Sequence, residues 1–112
     1  LRAFELADQV GMDVYRTTRS FPSEEIFGLT SQIRRASVST ASNIVEGCAR
    51  HSESDFLRFL DIAYGSSKEV DYQLSIAERL AYSTELATVR LKCEETAKVL
   101  NGLMRSIRGS KS

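Results

Sequence analysis

"QIRRASVSTASNIVEGCAR", residues 32–50, is the stretch on which the fold turns. Two arginines lead into small and hydroxylated residues, and an asparagine, a glutamate and a glycine close the run. Projected at 100° per residue, Ile33, Ala36, Ser37, Thr40, Ala41, Ile44, Gly47 and Cys48 share one side. That side is narrow and made mostly of small residues. A neighbouring helix can approach it closely, and its hydroxyls can bond back to the preceding turn. The run therefore reads as a helix from near Thr30 to about Ala49. Helix packing explains most of it without a ligand.

Working outward, the same period recurs on both sides. Ala3, Leu6, Ala7, Val10, Val14 and Thr17 fall at three- and four-residue steps, giving a one-faced first helix that ends near Arg19. Between the two lies "SFPSEEIFG", residues 20–28, the one clear loop. Pro22 disfavours a helical entry at Ser20-Phe21, and Gly28 breaks the next turn, with a short helical turn at Ser23 to Phe27 capped by Ser23. On the other side Ser52 and Asp55 resemble a capping box. The third helix they announce holds Phe56, Leu60, Ala63, Ser67, Val70, Leu74, Ala77 and Ala81 on one face for about thirty residues, roughly 45 Å. A last turn capped by Ser83 or Thr84 opens a fourth helix. Its seam is Leu86, Val89, Cys93, Ala97, Leu100, Met104 and Ile107, and it frays near Gly109. Four amphipathic helices with short connections predict an all-α, antiparallel up-down four-helix bundle. One domain over 1–108 and a flexible tail over 109–112 follow, with no internal repeat and no low-complexity segment.

The composition agrees and narrows the function. A chain of 112 residues suits one domain with a real core, and one proline with six glycines fits long regular elements with few turns. Fifteen basic and fifteen acidic residues cancel, so any nucleic-acid site has to be local. Two cysteines and one histidine supply neither four metal ligands nor a disulfide framework. No metal, cofactor or small-molecule substrate is expected. No apolar run approaches the roughly 18 residues of a membrane span, and no secretory signal is visible, so the expected location is cytoplasmic with no membrane partner. A chain opening on Leu1 without methionine is compatible with loss of its true beginning.

Catalytic readings are weak. His51 lies near Glu46, Ser52, Ser54 and Asp55, but a base must reach its nucleophile at about 2.6 to 3.2 Å, which sequence neighbours seldom achieve. An exposed turn with a helix cap is the simpler reading, and no enzyme is predicted. Cys48 and Cys93 fall on core faces, where a thiol acts as a small hydrophobe. The glycines are scattered singly, so there is no phosphate loop.

The arginines and the apolar excess say more. Arg16 and Arg19 close the first helix, Arg34 and Arg35 open the second, and Arg50 and Arg58 flank the next turn. Most have an ordinary explanation in helix dipoles or in pairs such as Glu46 with Arg50. Arg34 and Arg35 resist it, because positive charge in a first turn opposes the dipole and invites an anion. Lys98, Arg105, Arg108 and Lys111 add either a basic footprint or a solvated C-terminal turn. Candidate nucleic-acid contacts are thus Arg34, Arg35, Arg50 and Arg58. Leu57, Phe59, Ile62 and Tyr64 widen the third helix's apolar arc beyond one face, and Phe4, Met12 and Tyr15 lie off the first helix's stripe. Several such side chains exposed together mark an interface. Arg35, Asn43 and Glu46 on the polar side of the second helix join it as a hydrogen-bonded network. Gly65, which costs about 1 kcal/mol in mid-helix, suggests that something approaches the backbone there. The candidate oligomer interface is therefore Arg35, Asn43, Glu46, Leu57, Phe59, Ile62, Tyr64 and Gly65.

Four motifs, "FGLTSQIRRA" at 27–36, "NIVEG" at 43–47, "FLRFL" at 56–60 and "AYGSSKE" at 63–69, stand in an order and spacing that resemble a known family. It is that of the four-helix-bundle proteins encoded in intervening sequences of bacterial 23S ribosomal RNA genes, and the likeness spans nearly the whole chain. At Thr40-Ala41, where many relatives carry proline, this sequence departs from the pattern. The resemblance implies a homopentamer and does not imply an enzyme. A related group, the accessory proteins of diversity-generating retroelements, forms basic pentameric barrels that act with nucleic acid. Arg34, Arg35, Asn43, Glu46, Gly47 and Gly65 are the motif positions, read as interfacial first and RNA-binding second. Two functions are then in play: an oligomer whose gathered arginines meet ribosomal RNA or a ribonucleoprotein, or a structural homo-oligomer and protein scaffold without nucleic acid.

Overall fold

The structure, a computed structural model, describes residues 1–109; the rest of the expected tail, 110–112, lies outside the described residues. Four helices pack together: α1 (Arg2–Thr17), α2 (Leu29–Cys48), α3 (Glu53–Arg79) and α4 (Leu86–Gly109). Short 3-10 turns at Thr18–Ser20 and Ser23–Glu25 join the first two, and no strand occurs among the described residues. Each helix packs on the next and α4 returns onto α1, with the α2–α3 pairing the most extensive. The result is a rod of 49 × 22 × 18 Å.

The apolar stripes form two clusters, one at each end. At one end Val10, Val14, Ile33, Val70, Leu74, Leu86, Val89 and Cys93 meet, with Phe21 from the loop. At the other, Ala3 and Ala7 from the start of α1 meet Ile44 near the end of α2, Leu60 near the start of α3, and Leu100 and Met104. Helix starts and ends alternate within each cluster, which is the up-down arrangement. Between the clusters lies a waist of buried hydroxyls: Ser37, Thr40, Ser67 and Thr96. Ser37 donates to the Arg34 carbonyl (2.9 Å), Thr40 to that of Ala36 (3.0 Å) and Thr96 to that of Lys92 (2.7 Å). Ser67 reaches across to the Cys93 carbonyl at 3.3 Å. Back-bonding to the helix lets these groups be buried without loss of their hydrogen bonds.

The connections depart from expectation in instructive ways. Phe21 is extended, as the following proline requires, but the 3-10 turn at Ser23–Glu25 has Pro22 at its N-cap position and no side-chain cap from Ser23. The cap is used one helix later: Glu25 accepts the Leu29 N–H at 3.2 Å and the Tyr82 hydroxyl at 2.8 Å. Ser52 caps α3 as predicted, accepting the Asp55 N–H at 3.1 Å. Helix α3 stops at Arg79 rather than Ala81, because Ala81 takes a left-handed conformation at φ 59°. The Tyr82 N–H then bonds to the Ala77 carbonyl and the Ala81 N–H to that of Glu78, both at 3.0 Å, which closes a Schellman motif on a residue that is not glycine. Ser83 accepts the Glu85 N–H at 3.3 Å before α4.

Candidate nucleic-acid interface

The α2–α3 turn is built around Gly47. A Cβ there would stand 3.1 Å from both Phe56 Cδ1 and Phe59 Cβ, so the end of α2 lies against the start of α3 only because the side chain is missing. Phe59 is half-buried by this approach. Two guanidinium groups lie over its ring, Arg58 with Cζ 4.5 Å from the centroid and Arg50 with Cζ at 5.5 Å. Both have acidic partners: Arg50 donates to the Glu46 carboxylate and to its carbonyl, each at 3.2 Å, and Arg58 lies 3.8 Å from Asp55. Pairs this exposed contribute little and part easily. Helix α4 ends at the same end of the rod. Its exposed Arg105 and Arg108 have no ion-pair partner among the described residues.

The other sequence-predicted arginines are elsewhere. Arg34 and Arg35 are the sixth and seventh residues of α2, beyond the first turn, so the dipole conflict expected of them does not arise. Arg34 is committed within the subunit, donating from Nε to Thr18 Oγ1 at 2.9 Å with its guanidinium 4.8 Å over the Tyr15 ring. Arg35 is exposed on the rim of an α2–α3 cleft of about 380 Å³, beside Gln32, Ser39, Glu69 and Gln73. It lies about 20 Å along α2 from Arg50. One subunit thus brings together Arg50 and Arg58 but not all four.

The candidate interface residues divide similarly. Leu57 and Tyr64, with Phe4, pack partly against the subunit's own core, so some of the apparent apolar excess is absorbed internally. Ile62 remains 43% exposed. Asn43 donates to the Ser39 carbonyl at 2.8 Å and to its hydroxyl at 3.1 Å, and Ser39 meets Ser66 at 3.0 Å. Within the subunit nothing lies within 4 Å of a Cβ added at Gly65.

Cysteine and histidine sites are also resolved. Cys48 is exposed, contrary to its expected place in the core, because the buried stripe ends at Gly47, one residue before α2 does. Cys93 is buried, and burial pushes its thiol up to about 12. His51 is exposed, and among the described residues no hydrogen bond joins it to a hydroxyl or a carboxylate; Ser52 is occupied as a helix cap. No His, Cys, Asp and Glu cluster suited to a metal ion occurs among them. No described helix is long and apolar enough to cross a membrane.

Sequence reasoning missed the ion pairs between distant segments that engage Arg2, Arg16, Arg90 and Lys92. Lys92 pairs with Asp13 at 2.7 Å, Arg16 with Glu85 at 3.0 Å, and Arg90 with both Asp71 and Glu78 at 2.8 Å; Arg2 pairs with Glu95. The hydrogen bonds that Arg90 donates to Asp71 and Glu78 raise its pKa further. Partners so far apart in sequence leave no local signal.

Comparison with known proteins adds to this geometry. A family model described as 23S rRNA-intervening sequence protein matches residues 1–102. A crystal structure of a protein of unknown function from the S23 ribosomal protein family of Bacteroides thetaiotaomicron superposes with a TM-score of 0.84. It is 23% identical, over 92% of this chain and 95% of that one, a likeness that speaks to the fold. No curated protein matches the sequence.

Proposed function

Because this chain belongs to the 23S rRNA-intervening sequence protein family, we propose that it works as a non-enzymatic homo-oligomer, a pentamer by family resemblance, that binds ribosomal RNA or a ribonucleoprotein. The RNA contact is the α2–α3 end of each bundle. The observation that carries this reading is the pair of guanidinium groups, Arg50 and Arg58, over the one Phe59 ring. Exposed arginines held over an aromatic suit single-stranded RNA, which offers phosphates to the cations and bases to stack on the guanidinium planes. Arg105 and Arg108 extend the cationic edge, and assembly multiplies it around a ring. The zero net charge of the chain makes the contact local rather than a general attraction to polyanions.

Salt-titrated binding to 23S ribosomal RNA fragments tests the proposal. Affinity should fall steeply with salt, and changing Arg50 and Arg58 together to alanine should lower the slope by about 1.4, at roughly 0.7 per phosphate contact on a single strand. Binding that is absent, or indifferent to both substitutions, overturns it. A structural homo-oligomer without RNA is the second reading, favoured by the internal commitment of Arg34 and the acidic partners of Arg50 and Arg58. Light scattering that shows an assembly with no RNA affinity to lose would select it.

A further inference from the structure

We infer that Phe27 of one copy seats in the cleft between α1 and α2 of the next, so that copies join head to tail. The inference rests on the assembly reading above and says which surfaces carry it. Phe27 is 94% exposed, with Ile26 beside it at 47%. A phenyl ring this bare usually belongs to a mobile strand of loop, but here its turn is fixed. The Ile26 N–H bonds to the Ser23 carbonyl at 3.2 Å and the Gly28 N–H to that of Glu25 at 2.9 Å. The Glu25 carboxylate ties the turn to Leu29 and Tyr82, and a Cβ at Gly28 would stand 2.9 Å from Glu25 Oε1. A rigid turn that presents an aromatic to solvent has the character of an interface anchor.

The same chain carries a vacant counterpart. A cleft of about 200 Å³ runs between α1 and α2, with a floor of Ala7, Gly11 and Ala41 and walls of Met12, Tyr15 and Val38. The wall residues are exposed by 68%, 43% and 47%. Nothing lies within 4 Å of a Cβ added at Gly11, so the floor is open. Phe27 does not fill its own cleft: it is 94% exposed and precedes α2, while Val38 is the tenth residue of that helix. The charges at the two surfaces also match. Exposed Glu24 stands beside the plug, while Arg34 lies over Tyr15 at one end of the cleft, and the lining Asp8 sits two turns of α1 away from Tyr15. A plug and a cleft at different places on one chain make a heterologous contact, the kind that closes into a ring.

The test uses the whole chain and two substitutions at exposed positions, Phe27→Asp and Val38→Asp, with molar mass read by light scattering and folding by circular dichroism. Each should reduce the assembly to single folded chains. A second measurement mixes a Phe27→Cys chain with a Val38→Cys chain, both also Cys48→Ser, under mild oxidation; the disulfide should link unlike chains rather than like ones. A wild-type oligomer whose mass neither aspartate changes, or cross-links between like chains only, overturns the inference and leaves the assembly reading standing. A monomeric wild-type chain overturns both.

Discussion

Cys48 and Cys93 differ in nothing but surroundings, and their chemistry should divide accordingly. A disulfide-exchange reagent should titrate one thiol in the folded protein and two after denaturation, because Cys48 is exposed and Cys93 is not. The raised Cys93 thiol also sets an alkaline limit. Its pKa stands at about 12 when folded against 9.0 ordinarily, so the unfolded chain loses its proton first as pH rises. The associated stability is complete below pH 9.0 and disappears between there and about 12. Tyr82, raised by its bond to Glu25, acts in the same direction. Denaturant midpoints followed across that window should fall, and Cys93→Ala should flatten the decline. Ala81 is the other residue under strain. Glycine adopts a φ of 59° freely, so Ala81→Gly should stabilise the protein by about 0.5–1 kcal/mol, visible as a higher urea midpoint with an unchanged slope.

At the scale of the helices, two glycines that read alike in sequence have opposite roles. Gly47 lets α2 and α3 touch, and Gly47→Ala should destabilise the subunit by about 1–3 kcal/mol through overpacking against Phe56 and Phe59. Gly65 has no neighbour within the subunit, so Gly65→Ala should stabilise α3 by about 0.5–1 kcal/mol in thermal unfolding of the subunit. If a second copy approaches that backbone, the same substitution should weaken assembly while the helix gains stability. Helices α1, α2 and α4 were legible because their stripes depend on a local period, and the buried sets follow the predicted ones closely. The end of α3 was not, since neither Leu80 nor Ala81 announces a left-handed cap; that motif is set by backbone bonds from Ala77 to Tyr82. The site was half legible. Arg50, Arg58 and Phe59 are near neighbours whose meeting the turn makes natural, whereas the loss of Arg34 to Thr18 and Tyr15 depends on how α1 returns against α2. Phe27 read as one residue of a loop because exposure is not written in a sequence.

For the molecule as a whole, equal numbers of acidic and basic residues give neutrality, and pairing between distant segments removes some of those charges from the surface available to partners. Asp13, Asp71, Glu78 and Glu85 hold Arg16, Arg90 and Lys92, and Arg35, Arg105 and Arg108 are among the cations outside those pairs. On the proposals above, partners would be recognised by small local features, a pair of arginines at one end and an aromatic plug at the other. The hydroxyl waist has its own consequence. Ser37, Thr40, Ser67 and Thr96 separate two greasy ends that share helices but little side-chain contact across the middle. Either end can loosen while its opposite stays shut, so amide protons should exchange with deuterium in two blocks of different protection, split near those four residues. Whatever clamps one tip in place would then decide which half gives way first.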